Sequence, residues 1–286
     1  MISQLLNILP LLIWFLVWAI GGWLIVVGFN IPRREQMITG ISLGMVLQLW
    51  LSNGFAHFAP ILSAFWLGAF ATLALGFIFA WPRLKMGGKG IFLISWGQLA
   101  SLALIVYLFA IIGFGLNIFD DRQNLPAASL MALGDIPPHF PFDSNVAFGY
   151  HYLLILLGAQ LMRLGDIFAW TAMDLARALV FGPTIMLTYL WTRRMTRSHM
   201  AGIFGGLFMA FSSGVRWILL IFPPAFVAWI SDRVTLIGSG KISGENLSEA
   251  LTNFWKIEGA GPLEFPFAFV NGLNSPNTMA HNGVGL

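Results

Sequence analysis

A chain of 286 residues with 58% hydrophobic and only 9% charged residues, at a mean hydropathy of +0.80, does not have the composition of a soluble domain. Such a domain carries roughly a quarter charged residues. The pI near 9.5 is not a nucleic-acid signal, because eight of the fifteen Lys and Arg fall in three short connectors: Arg33, Arg34; Arg83, Lys85, Lys89; and Arg193, Arg194, Arg197. The absence of Cys excludes disulfides, thiolate metal sites and Cys nucleophiles, and leaves the compartment open.

In chain order, apolar runs occupy 5–29, 38–58, 61–81, 91–116, 167–191 and 200–230. The first five approach or exceed the roughly 20 residues that span a bilayer as a helix. The fold class expected is therefore all-α, a polytopic helical membrane protein with about 6–7 transmembrane helices plus an interfacial helix in a long external loop. Basic connectors mark the cytoplasmic side. No Lys or Arg precedes Arg33, so the first helix reads as an uncleaved anchor with its N-terminus outside. The second helix returns to a nearly uncharged turn near His57 and Pro60. The third descends to WPRLKMGGKG (81–90), punctuated by Pro82 and glycines. The fourth exits near Leu116 and closes an N-terminal membrane region, 1–116.

An external acidic loop, 117–149, follows, with Asp120, Asp121, Asp135 and Asp143 against Arg122. The run YHYLLILLGAQLMRLG (150–165) is about 24 Å long as a helix and carries Gln160 and Arg163. If it and 167–192 both crossed, Arg193, Arg194 and Arg197 would lie outside, so 150–165 is expected to lie at the interface. The run 200–230 exceeds one span and is broken by Ser212-Ser213-Gly214 and Pro223-Pro224, predicting one outward helix and a short broken or re-entrant one. The tail, 231–286, is polar; 244–256 reads as an amphipathic helix, with Ser243 as cap and Leu247, Leu251 and Trp255 on one face. No internal repeat is present.

Asp120 and Asp121 stand where the fourth span leaves the membrane. That is an ordinary polar helix end, or a carboxylate that binds a divalent cation or acts as a general base. His139 and His151 with Asp135 and Asp143 offer metal-ligand types, though their spacing matches no compact zinc pattern. Tyr150-His151-Tyr152 also fits an aromatic interface belt. Asp174 and Arg177 sit i, i+3 within an apolar run, where they neutralise each other on one face or line a wet cavity. Arg216 and Glu245, Glu249, Glu258 and Glu264 are either substrate contacts or solvated loop charges. The chain lacks G-x-x-x-x-G-K-[ST], H-E-x-x-H and G-x-S-x-G, so ATP-driven transport, zincin proteolysis and α/β-hydrolase chemistry have no support.

One order of elements is informative: FDDRQNLPAASLMALGDIPPHFPF (119–142), then YHYLLILLGAQLMRLG, then IFAWTAMDLARALVFGPTIMLTYLWTRRM, then AGIFGGLFMAFSSG (201–214). Over about 117–215 this resembles the core of GT-C class polytopic glycosyltransferases, which use polyprenyl-phosphate-linked sugars. In that family the first external loop holds an acidic residue near its start and leads into a helix along the membrane. The resemblance implies Asp121 or Asp120 as the catalytic carboxylate, activating the acceptor or binding a divalent cation. It implies Asp135, His139, His151, Arg177 and Arg216 as substrate-binding candidates, with Arg177 toward the donor phosphate. The partners implied are membrane lipid, the polyprenyl-phosphate-sugar donor and other membrane subunits, with no nucleic acid; the location implied is a prokaryotic plasma membrane.

The chain departs from the family in having four spans before the core, a short length, and no second acidic motif after 201–214. It is accordingly expected to be the N-terminal part of a longer protein. Two other function classes stand beside this one. The first is a non-catalytic subunit of a membrane assembly. The second is a transporter or flippase of lipid-linked intermediates built on Asp174 and Arg177, although no repeated half with interrupted helices supports it.

Overall fold

The structure is a computed structural model that describes residues 2–29, 31–85, 94–113, 121–148 and 152–211, with a few isolated positions beyond 224. Eight helices are described: α1 (Ile2–Gly28), α2 (Arg33–Ala56), α3 (Ile61–Lys85), α4 (Trp96–Gly113), α5 (Asp121–Leu133), α6 (Leu153–Gly165), α7 (Ala169–Thr196) and α8 (His199–Phe211). A short antiparallel hairpin, β1 (His139–Phe140) and β2 (Asp143–Ala147), lies between α5 and α6. A second, β3 (Ile237–Gly238) and β4 (Lys241–Ile242), lies in the tail.

Among the described residues three helices are long and apolar enough to cross a membrane: α1 over Ile8–Gly28, α2 and α3. Their outward faces carry large apolar side chains such as Leu16, Trp50, Phe70 and Ile78, all more than half exposed. Exposure of that extent is what a lipid-facing surface requires and what a soluble surface avoids.

These three helices pack at backbone distance. Trp14 Nε1 donates to Phe65 O at 3.1 Å. Further along the same pair, Gly21 faces Leu73 and Gly28 faces Phe79, so α1 and α3 run parallel. The antiparallel α2 fits against both. A Cβ at Gly22 would overlap the backbone of Gly40 and Gly44, and one at Gly68 would overlap Ser52. Glycine is required at these positions by close approach, the usual device for joining helices when burial from water supplies no drive.

The remaining helices attach to this unit at defined ends. Arg194 Nη1 lies 3.3 Å from Glu35 Oε2, tying the C-terminus of α7 to the N-terminus of α2. Gln98 Nε2 donates to Arg34 O at 2.6 Å, bringing the start of α4 to the same place. Arg33, Arg34, Arg83, Lys85, Arg193 and Arg194 therefore share one end of the bundle. At the other end Gly134, just past α5, lies against Ile61 at the start of α3.

Several elements differ from the sequence expectation. The acidic stretch 117–149 is not a plain loop, since α5 occupies 121–133 and a hairpin follows. Its apolar residues explain this: Ala127, Ala128, Met131 and Ala132 form a buried stripe against α6. The short segment 150–165 contains α6, and ten of its residues are buried among α1, α2, α5 and α7. Gln160, whose polarity favours an interface in the sequence, is wholly enclosed and hydrogen-bonded inside the bundle. The expected break at 212–224 and the amphipathic helix at 244–256 lie outside the described residues.

Candidate functional site

The end opposite the basic connectors is built by α5, the hairpin and α6. Helix α5 stops because Gly134 takes φ +116°. Its N–H bonds Met131 O, and the Asp135 N–H bonds Leu130 O at 3.1 Å. This paired closure is a Schellman cap, which only glycine adopts without strain. The chain then turns through a cis Ile136–Pro137 peptide into the hairpin, whose base is closed by Phe148 N donating to Pro138 O at 2.8 Å.

The turn delivers Asp135 onto His139 twice. The His139 backbone N–H donates to Asp135 Oδ2 at 2.8 Å, and His139 Nδ1 donates to Asp135 Oδ1 at 2.6 Å. Asp143 is committed elsewhere: its Oδ1 accepts from Asn145 N at 3.0 Å and from Asn145 Nδ2 at 3.3 Å. Asp143 therefore does not join Asp135 and His139. Among the described residues no three His, Cys, Asp or Glu side chains are grouped to hold a metal.

Below this end a polar seam crosses the bundle. Gln48 and Gln160 exchange amide hydrogen bonds, each 3.1 Å, and Ser52 Oγ donates to Gln48 Oε1 at 3.3 Å. Tyr152 Oη donates to Asn53 Oδ1 at 3.0 Å, which fixes the N-terminus of α6 on α2. In α7, Arg177 Nη1 lies 3.1 Å from Asp174 Oδ1, and Arg177 has no exposed surface. Mutual neutralisation on one helix face is what the i, i+3 spacing predicts. An apolar cavity of about 200 Å³ lies elsewhere, between Trp14, Trp18, Met45, Leu102, Val106 and Pro183, and neither Asp174 nor Arg177 reaches it.

The sequence candidates are thus distributed unevenly. Asp135 and His139 are brought together. Arg177 is buried and paired with Asp174. Asp121 is the first residue of α5, but its side chain lies outside the described set, as do Asp120, His151 and Arg216. Sequence reasoning missed the Gln48–Gln160 pair and the Glu35–Arg194 tie. A Gln in the apolar middle of each of two helices was the available signal for the first. No protein family model, curated protein or solved structure matches the chain.

Proposed function

We propose that this chain is an integral membrane glycosyltransferase, or the N-terminal module of one, transferring a sugar from a lipid-phosphate-linked donor at the external face. The observation that supports the reading is the separation of charge along the bundle. Six basic side chains gather at one end, whereas the unit formed by α5 and the hairpin, which begins at Asp121 and carries Asp135, His139 and Asp143, occupies the other. By the positive-inside rule the basic end faces the cytoplasm, so the acidic unit faces the external headgroups, where a polyprenyl phosphate presents its sugar. Asp121, with Asp120 beside it, opens this unit. In the reaction an acceptor hydroxyl displaces the lipid phosphate at the anomeric carbon with inversion, and the Asp121 carboxylate either takes the hydroxyl proton or holds a divalent cation.

Two measurements test this. Because the chain has no native cysteine, Ser144→Cys in the exposed hairpin and Thr196→Cys at the end of α7 serve as single-site labels. Ser144→Cys is expected to react with an impermeant maleimide in intact cells, and Thr196→Cys only after the cells are opened; the reverse pattern sinks the reading. Asp121→Asn is expected to lower sugar transfer from a polyprenyl-phosphate hexose by about 100-fold or more at unchanged expression.

A second reading, a non-catalytic subunit, is favoured by one feature. Arg177 is fully buried and ion-paired with Asp174, whereas a residue that meets a donor phosphate needs an open face. Full transfer activity in Asp121→Asn would select this alternative.

A further inference from the structure

We infer that Asp135 and His139 form a proton-accepting dyad in which His139 takes the acceptor's hydroxyl proton. The inference rests on the glycosyltransferase reading. Both oxygens of the Asp135 carboxylate are spent on one residue, Oδ1 on the His139 ring and Oδ2 on the His139 backbone. A carboxylate only accepts, so the ring proton is held on Nδ1 and the lone pair is left on Nε2. Fixing one tautomer and one ring orientation is what a general base requires.

The ring is also reachable. The His139 side chain is 39% exposed and that of Asp135 only 27%, so the pair presents its imidazole rather than its carboxylate. Among the described residues nothing else at this end combines these properties. Asp143 is closed on Asn145, and His57 in the turn between α2 and α3 has no carboxylate holding it. Elsewhere, Glu35 is tied to Arg194 at the opposite end and Asp174 to Arg177 within the bundle.

The acceptor O–H bond breaks and its proton passes to His139 Nε2. The acceptor oxygen forms a bond to the anomeric carbon, and the bond from that carbon to the phosphate oxygen breaks. The electron pair leaves on the lipid phosphate, and the imidazolium that results is stabilised by Asp135. Asp135 acts through His139 and is a positioning residue.

Full-length wild type, His139→Ala, His139→Gln and Asp135→Asn would be reconstituted in proteoliposomes with labelled polyprenyl-phosphate hexoses and an alkyl glycoside acceptor. His139→Ala is expected to lose about 100-fold in transfer rate, with exogenous imidazole restoring about tenfold, a recovery that a purely structural clamp does not give. Asp135→Asn should fall between His139→Ala and wild type. In a parallel arm, diethyl pyrocarbonate should modify His139 faster than His57 in wild type, and that advantage should vanish in Asp135→Asn. Transfer within twofold of wild type in His139→Ala, or its loss without imidazole rescue in a folded variant, overturns the inference. If wild type transfers no sugar, the glycosyltransferase reading fails, and the carbethoxylation arm then decides the dyad alone: equal reactivity of His139 and His57 overturns it, and the Asp135-dependent advantage sustains it.

Discussion

Two halves of this bundle are held together by different means. In the unit of α1, α2 and α3 the contacts are between backbones: Gly21, Gly22, Gly28, Gly40, Gly44, Gly68 and Gly76 remove the side chains that would keep the helices apart. The unit of α5, α6 and α7 is instead addressed onto α2 by polar side chains, Gln160 on Gln48 and Tyr152 on Asn53, and α7 carries the Arg177–Asp174 pair on its own face. The first device is tolerant of which apolar residues surround it but intolerant of any added atom at the seam. The second depends on a few specific partners, each costly to orphan, because a buried polar group that loses its hydrogen bond pays its full desolvation penalty. The candidate chemistry lies in the second unit.

The sharpest way to break that contrast is at Arg177. Arg177→Met breaks the buried ion pair with Asp174 and should cost about 3–5 kcal/mol, read as a lowered midpoint in detergent-titration unfolding. Adding Asp174→Leu should return most of the loss; no recovery in the double variant would mean that the pair is not the stabilising unit.

Next in size is Gly22→Val, which pushes α1 off α2 at the Gly40 and Gly44 backbones. Overpacking of this kind costs about 1–3 kcal/mol. Gly54→Val, where an added Cβ meets nothing within 4 Å, is the matched control and should leave the midpoint unchanged. Equal effects at the two sites would remove the case for a backbone-packed seam.

Gln160→Leu should cost about 1–2 kcal/mol by stranding the Gln48 amide, and Gln48→Met in the same chain should relieve it. A double-mutant cycle with no coupling would show that the polar seam does not address α6 to α2. The smallest effect belongs to Arg194→Ala. Arg194 is 60% exposed on its side chain, so its tie to Glu35 is screened and should contribute under about 1 kcal/mol. High salt should erase the difference from wild type.

Helices α1, α2 and α3 follow from unbroken apolar runs bounded by basic connectors, so their existence and their order needed no tertiary information. The pairing of Asp174 with Arg177 follows from i, i+3 spacing, a property of any helix. Helix α5 is not legible in the sequence, because its first turn is polar and Pro126 stands inside it; the stripe of Ala127, Ala128, Met131 and Ala132 becomes a helix face only when α6 covers it. From sequence Gln160 reads as an interface residue, because polarity alone does not tell whether water or another amide satisfies it.

The sequence by itself determined the helical class, the apolar lengths and the distribution of charge between connectors, since these depend only on local periodicity and composition. Tertiary structure decided that the basic connectors share one end, that Arg177 is enclosed, and that Asp135 closes on His139. Each of these is a meeting of groups brought by chain reversals, through the Gly134 cap in one case and antiparallel helix packing in the others. A linear pattern of residue types carries the capacity for such meetings; only the packed backbone selects which of them occur.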